Sequence, residues 1–350
     1  MCKFQYLIVV KPLGLMYGSS GAFLSPENLV GRSGNKFPPE AATLAGLFFS
    51  TNKTKHQDKS KQEDKFKQEP EQHQKELREN LYVAGPFWAE SKDIQKIYVP
   101  IPRTRIISQK GYDDWFLKET DRGLVWDRDP DKKNIEPDDY YWFPISDWKN
   151  ESSSIFKNKS AQKAPWKYTS ILHPRMQDGE RSVVSEDGLF LENAVQMKEG
   201  TCLIYLSSHP LDKGWYKFGG ENHIVEIENK EIQTDWKIYK LLKQEIEDTF
   251  ALITPAIWGS NRLSLRWPQK SDFPQVKQIL TDKAVPYRFS AGGKLGRGRY
   301  AVPAGSVYVL EDSIGKPWCE WQENWFPQEG YYLNHVGCGL CLPLKKIKQV

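Results

Sequence analysis

The segment from residue 292 to residue 300, GGKLGRGRY, combines the chemical groups that could hold a chain of phosphates. Glycines remove side chains, so backbone amides can approach an anion closely. The basic residues add positive charge at the same place, and a tyrosine ring can stack on a base. The predicted RNA-binding residues here are Gly292, Gly293, Lys294, Gly296, Arg297, Gly298, Arg299 and Tyr300. The alternative is a flexible β-hairpin tip with solvated basic side chains.

Three further segments place polar or basic side chains where a nucleic acid could reach them. The loop after the first predicted strand contributes Lys11, Ser19, Ser20 and Arg32; a central loop contributes Lys167, His173, Arg175 and Arg181; a third loop contributes Arg262 and Arg266. If the fold brings these loops together, they would surround one RNA segment. Each set is equally consistent with ordinary surface polarity.

The sequence lacks the motifs of common enzyme classes. Gly293-Lys294 is followed by Leu295, which breaks the P-loop pattern, and the glycine segment precedes a strand, unlike a dinucleotide-binding loop. The GxSxG and HExxH motifs are absent. A metal-free ribonuclease needs a general base beside a cation, and only His173 meets this description. We therefore expect no catalytic residue, with an RNA-cleaving role for His173 as the alternative.

Five cysteines form no regular framework, and Cys338-Gly-Leu-Cys341 is a lone CxxC motif without a second ligand pair. We therefore expect no metal and no cofactor. The first apolar run is too short for a signal peptide, and no run approaches the ~18 apolar residues that span a bilayer. These features predict a soluble, cytoplasmic protein with reduced thiols and no membrane partner.

Charge is distributed unevenly along the 350 residues, although the net charge is only +4. Residues 283–310 contain five basic side chains and no acidic one, whereas residues 113–139 contain ten acidic and five basic ones. One face could thus hold phosphates while another repels them. This favours a defined RNA path over non-specific coating.

Hydrophobic patterns predict the elements that must position these residues. Residues 4–10, 81–88, 96–102 and 223–228 are predicted strands, residues 188–197 and 200–206 a hairpin, and residues 38–49 and 235–248 helices. In the second half, residues 249–254, 305–310 and 337–342 are predicted strands. Residues 52–80 are almost free of apolar side chains and form a surface insertion. The helical part of this insertion is expected to end near Asn80.

Strands interrupted by single helices, in both halves, predict an α+β protein with mainly antiparallel sheets. We place the domain boundary before the second predicted helix. This divides the chain into residues 1–234, with the charged insertion at about 52–80, and residues 235–350, with the glycine-rich loop.

Several segments, taken in order, resemble one protein family. They are Met16-Tyr17-Gly18, Pro38-Pro39, residues 42–46 (ATLAG), Gly188-Leu-Phe190, Phe218-Gly-Gly-Glu221, Thr254-Pro-Ala256, residues 299–308 (RYAVPAGSVY) and residues 336–343 (VGCGLCLP). This series is similar to the Cmr subunit three family of type III-B CRISPR effectors, part of the RAMP superfamily. The insertion and the long acidic and Ser/Lys-rich stretches depart from the short connections expected in that family.

The resemblance implies two ferredoxin-like (RRM-like) domains with long insertions. It also implies binding of the repeat-derived 5′ handle of CRISPR RNA, docking of the large polymerase-like subunit and of the backbone RAMP subunit, and indirect contact with target RNA. The family is not thought to cut RNA. The alternative within the superfamily is an endoribonuclease that processes CRISPR RNA.

Overall fold

We analysed a computed structural model of the chain. The structure describes residues 3–17, 37–60, 69–121, 123–136, 141–179, 182–185, 188–219, 223–260, 262–288, 290–291, 294–295 and 297–350. For residues 52–60, 69–74, 190, 192, 290–291 and 294–295 it describes the backbone alone.

Strands dominate the chain. Those in the first part are β1 Tyr6–Pro12, β2 Met16–Tyr17, β3 Val83–Glu90, β4 Asp93–Pro100, β5 Arg105–Ile107, β6 Tyr112–Asp114, β7 Phe116–Thr120, β8 Gly123–Asp127, β9 Trp142–Pro144, β10 Trp166–Pro174, β11 Leu189–Met197, β12 Thr201–Ser207, β13 Gly214–Phe218 and β14 His223–Glu231. Those in the second part are β15 Thr249–Leu252, β16 Trp258–Gly259, β17 Ser264–Leu265, β18 Val276–Leu280, β19 Val285–Tyr287, β20 Ser290–Ala291, β21 Lys294–Leu295, β22 Arg299–Ala301, β23 Val307–Leu310, β24 Gln328–Glu329, β25 Tyr331–Tyr332 and β26 Cys341–Pro343.

Helices are few and support the sheets. They are α1 Ala41–Ser60, α2 Glu69–Asn80, α3 Ser152–Lys157 and α4 Lys237–Leu242. The helix predicted over residues 38–49 begins at Ala41 and continues to Ser60, whereas α2 ends at Asn80, as the sequence predicts. The helix predicted over residues 235–248 is shorter, because Ile246 instead forms a bridge with Lys316.

The largest sheet has seven strands in the order β13-β14-β1-β12-β3-β4-β9, and every neighbouring pair is antiparallel. The apolar strand β1 lies between β12 and β14, with Val9 opposite Ile204. Strands buried on both faces have continuous apolar sequences, which explains why β1 and β12 take central positions. The strands predicted near residues 4–10, 81–88, 96–102 and 223–228 are confirmed.

The predicted hairpin of residues 188–197 with 200–206 is wrong. Strand β11 pairs with β10 and β2 in a separate three-stranded sheet, whereas β12 pairs with β1 and β3. Residues 202–207 of β12 are all buried, so this strand belongs at the centre of the large sheet. The turn between β11 and β12 therefore connects two sheets and does not close a hairpin.

The second half builds an antiparallel sheet in the order β18-β23-β15-β26, which confirms the strands predicted near 249–254 and 305–310. The strand predicted over 337–342 is confined to Cys341–Pro343, because the chain before it turns at Gly337. The chain is thus α+β with several antiparallel sheets. One core cluster contains both Leu7 of β1 and Phe250 of β15, so the two halves share apolar packing. A second cluster joins α1, Val10 and Tyr287 of β19. None of the helices in the described ranges is both long enough and apolar enough to cross a membrane.

A polar cluster around Tyr82 links Lys3, near the start of the chain, with Glu323 and His335, near its end. The Tyr82 hydroxyl donates to Glu323 Oε1 at 2.7 Å, His335 Nε2 lies 3.2 Å from the same oxygen, and Lys3 Nζ donates to the Tyr82 hydroxyl at 2.6 Å. Burial lowers the pKa of His335 despite the opposing effect of Glu323. Burial would raise the pKa of Glu323, but hydrogen bonds from Tyr82 and His335 leave it lowered.

We expect this cluster to make the chain less stable in acid. Because burial lowers the pKa of His335 in the folded state, the unfolded state takes up this proton at a higher pH, and stability falls as the pH drops below the unfolded histidine value of about 6.5. The contribution of Glu323 is present above its unfolded pKa of about 4.3 and is lost as the pH falls through its lower folded value. Urea unfolding at pH 7.5 and 5.5 measures the first effect. A His335→Gln variant should flatten the difference, and an unchanged difference would contradict the assignment.

Candidate nucleic-acid interface

The glycine-rich segment lies at the end of a β-hairpin whose stem is described. Strands β19 and β22 pair with Pro286 opposite Tyr300 and Tyr287 opposite Arg299, and β20 pairs with β21 beyond them. Lys294 belongs to β21, where the backbone alone is described. Gly292, Gly293 and Gly296 lie outside the described residues. Tyr287 of β19 packs in the apolar core and so anchors the stem of the hairpin.

Arg299 has a different position from the one predicted. Its side chain is buried, with 5% of the residue exposed. Nη1 donates to the Ser260 carbonyl oxygen at 2.9 Å, and Nη2 forms an ion pair with Glu329 Oε1. Burial also lowers the pKa of Arg299. Arg299 is thus a positioning residue: it ties the hairpin to two neighbouring segments and does not present its guanidinium to a ligand at the surface.

The bond from Arg299 brings a second predicted loop next to the hairpin. Ser260 begins the turn between β16 and β17, and this turn carries Arg262. Gly259 opens the turn with φ +97°, and a Cβ there would lie 2.6 Å from the Leu263 carbonyl oxygen. Glycine is therefore required for this close approach.

Four predicted RNA-binding residues are exposed on these two hairpins, which we call the double-hairpin surface: Arg262, Arg266, Arg297 and Tyr300. Tyr300 is 54% exposed, whereas its neighbour Arg299 points into the protein. Alternation along β22 explains the contrast, because successive side chains of a strand point to opposite faces. The surface offers three guanidinium groups and one ring to solvent.

The predicted central loop is not a loop. Lys167 and His173 belong to β10, and Arg175 follows directly, with its backbone nitrogen donating to the Gly188 carbonyl oxygen at 2.7 Å. His173 Nε2 lies 2.8 Å from the Tyr17 hydroxyl of β2. The long ladder between β10 and β11 runs as far as Pro174, which pairs with Leu189. Arg181 lies outside the described residues.

Of the residues predicted to bind RNA in the loop after the first strand, only Lys11 is described. Lys11 Nζ forms ion pairs with Glu228 Oε2 at 3.1 Å and Glu226 Oε2 at 3.7 Å. Successive side chains of a strand point to opposite faces, so Lys11 lies on the same face of β1 as Val9. Val10 lies on the other face, where it packs in the same core cluster as the glycine-hairpin stem. The structure therefore does not bring Lys11 to the double-hairpin surface. Ser19, Ser20 and Arg32 lie outside the described residues.

Comparison with known proteins assigns the family. The family model described as CRISPR-associated protein (Cas_Cmr3) matches residues 14–342 of this chain. The chain belongs to the Cmr3 family. This confirms the family expected from the sequence and makes the chain a subunit of a CRISPR type III effector. None of the curated proteins compared with it matches.

Solved structures with similar folds are distant in sequence from this Cmr3-family chain. A chain of the type III-B Cmr-beta complex bound to cognate target RNA has 13% identity and a TM-score of 0.48, over 87% of this chain and 86% of that one. The same complex with AMPPnP gives 14% identity and 0.49 over the same shares. A chain of the Csm3–Csm4 subcomplex of a type III-A complex has 13% identity and 0.48, over 97% and 100%.

The CxxC motif of this Cmr3-family chain is buried. Cys338 Sγ accepts from the Ile257 backbone nitrogen at 3.0 Å, and burial raises the pKa of Cys338 to about 12. Cys341 is also fully buried, and its pKa is raised for the same reason. Within the described ranges, no group of three or more His, Cys, Asp or Glu side chains is arranged to hold a metal ion. Both thiols pack as apolar side chains.

Proposed function

We propose that this Cmr3-family subunit binds the repeat-derived 5′ handle of CRISPR RNA through the double-hairpin surface, without cutting RNA. The observation that carries the proposal is the contrast within the glycine hairpin: Arg299 is buried and fixed, while Arg297 and Tyr300 project into solvent. A fixed stem with exposed cations and a ring suits a single strand of RNA, because phosphates take the charges and a base stacks on the ring.

Rigid positioning supports selective binding over general attraction. The Arg299 bond to Ser260 holds Arg262 and Arg297 on adjacent turns, so two phosphate contacts are arranged before RNA arrives. Pre-organised contacts lose less side-chain entropy on binding. The mild net charge of +4 agrees with a local site and not with a uniformly basic surface.

Membership of the Cmr3 family supports the proposed protein partners. We infer docking of the large polymerase-like subunit and of the backbone RAMP subunit, which tracks the guide, so that target RNA is contacted only indirectly.

Photo-crosslinking within the assembled effector complex tests the handle contact. A photoreactive phenylalanine analogue replacing Tyr300 should crosslink to the first nucleotides of the guide. The same analogue at Trp215, which is 75% exposed on the edge strand β13, is the matched control and should give no such product. A complex in which position 300 yields no RNA crosslink, or no more than position 215, would overturn the proposal.

Cleavage of CRISPR RNA by the chain itself is the alternative that His173 represents. His173 Nε2 lies 2.8 Å from the Tyr17 hydroxyl, a contact that a general base acting through this nitrogen would have to give up. We expect the purified chain and a His173→Ala variant to leave repeat RNA equally intact on a sequencing gel. Cutting by the parent but not by the variant would establish an endoribonuclease.

A further inference from the structure

A separate cleft near the base of the glycine hairpin is lined by three arginines. It encloses about 250 Å³ and lies where β4 and β5 meet the end of β18 and the chain after β22. Arg103, Arg105 and Arg128 all line it, and none of its described lining residues is Asp or Glu. The cleft is therefore a concave site with three arginines in its lining.

The three arginines differ in their partners. Arg128 Nε contacts Asp113 Oδ2 at 2.7 Å, and Arg103 Nη1 contacts Asp282 Oδ2 at 3.0 Å. For Arg105, no carboxylate lies within 4 Å in the described part of the chain. Its Nη2 donates to the Trp148 carbonyl oxygen at 3.1 Å, while Nη1 is buried without a hydrogen-bond partner among the described residues.

A second guanidinium nitrogen in the cleft also lacks a hydrogen-bond partner within the described part of the chain. Arg103 Nε is also buried without a hydrogen-bond partner in the described ranges. An arginine cannot become neutral by losing its proton, and a buried charged donor that is left unpaired destabilises the folded state. Burial lowers the pKa of Arg105, and the nearby Asp114 and Asp147 only partly offset this. Neither Arg105 Nη1 nor Arg103 Nε therefore has a hydrogen-bond acceptor among the described residues.

The shape of the site favours phosphate over carboxylate. One guanidinium fork satisfies both oxygens of a planar carboxylate, whereas a tetrahedral phosphate presents oxygens to donors on several sides. Three guanidinium groups around one cavity therefore suit a phosphate better than a carboxylate. The wall at Ala304 is set by Gly305, which has φ +86° and whose Cβ would lie 2.8 Å from the Ile101 carbonyl oxygen. The glycine permits the close packing that closes this side of the cleft.

We propose that this three-arginine cleft binds one phosphate group, with Arg105 as its principal donor. The ring of Tyr141, 55% exposed, lies at the same cleft and offers a face to an attached ribose or base. The phosphate comes either from an RNA phosphodiester or from free phosphate. The site lies apart from the double-hairpin surface and does not depend on the handle-binding role.

A titration of the full chain with inorganic phosphate, followed by ³¹P NMR at constant ionic strength, tests the site. We expect saturable binding by the parent chain. Arg105→Gln should weaken it at least about tenfold, because a charge-assisted hydrogen bond is lost. Arg78→Gln removes an exposed arginine of α2, outside the cleft, and should bind like the parent. Binding that does not saturate, or that Arg105→Gln leaves unchanged, would overturn the proposal.

Ala304→Leu tests the cavity without changing any charge. Its larger side chain should fill the cleft and abolish phosphate binding. This variant therefore tests the site even if Arg105→Gln fails to fold. Retention of parental binding by Ala304→Leu would place the phosphate elsewhere and contradict the site.

Competition with a single-stranded RNA oligonucleotide distinguishes the two sources. Displacement of phosphate by RNA identifies a phosphodiester as the ligand, and failure to displace it identifies free phosphate. An Arg262→Glu/Arg297→Glu variant should keep parental phosphate affinity, which separates this proposal from the handle-binding one. Loss of phosphate affinity in that variant would mean that the titration reports the double-hairpin surface, and would overturn the cleft assignment.

Discussion

Reversing two charges on the double-hairpin surface should reduce RNA affinity by about two orders of magnitude. In the Arg262→Glu/Arg297→Glu variant, two exposed guanidinium groups are replaced by carboxylates. Each lost charged hydrogen bond weakens binding by about 1.5–3 kcal/mol. Binding to a single strand also releases fewer counterions, so the slope of log affinity against log salt should flatten by about 0.7 for each lost contact. Fluorescence anisotropy with handle RNA over a salt series measures both quantities.

Lys270→Glu/Lys345→Glu provides the matched control for this prediction. Both lysines are exposed in the same half of the chain and lie outside the double-hairpin surface, so the control makes the same change in net charge. A general loss of positive charge would lower the affinity of both variants equally. Equal losses would show that RNA is held by the overall field, and an undiminished affinity in the first variant would remove RNA from this surface.

The apolar elements of this fold were predictable because local patterns specify them. Residues 7–10 of β1 are consecutive apolar residues, and all are buried. Such an apolar run indicates a central strand, whichever strands it pairs with. The pairing of β11 was not predictable in the same way. Turn residues before β12 suggest a hairpin, but the choice of partner depends on which sheet can bury β12, and this is a property of the whole core.

The residues of the candidate site also fall into two groups, those whose role the sequence indicates and those whose role it does not. The exposed basic residues and the ring of Tyr300 are visible in the sequence, because composition and glycine spacing indicate them directly. The role of Arg299 is not visible, since its partners Ser260 and Glu329 lie 39 and 30 residues away along the chain. An arginine between a glycine and a tyrosine has the same local sequence whether it faces solvent or a buried carboxylate.

Removing one partner of the buried Arg299–Glu329 pair should destabilise the chain strongly. Only 4% of the Arg299 side chain and 19% of the Glu329 side chain are exposed. A single Arg299→Met substitution leaves the carboxylate of Glu329 buried without its cation, which typically costs about 3–5 kcal/mol of unfolding free energy. Glu329→Leu strands the guanidinium and should have a similar effect. Urea unfolding of both single variants measures these losses.

The double variant Arg299→Met/Glu329→Leu separates pairing from positioning. With both charges gone, stability should recover most of the loss, because apolar side chains of similar volume replace a buried ion pair at little cost. RNA affinity should stay reduced, since the bond that holds the Ser260 turn beside Arg297 is still absent, while the salt slope keeps its parental value. A flattened slope would show that Arg299 itself neutralises a phosphate. A double variant as unstable as either single one would show that the pair is not what stabilises the hairpin.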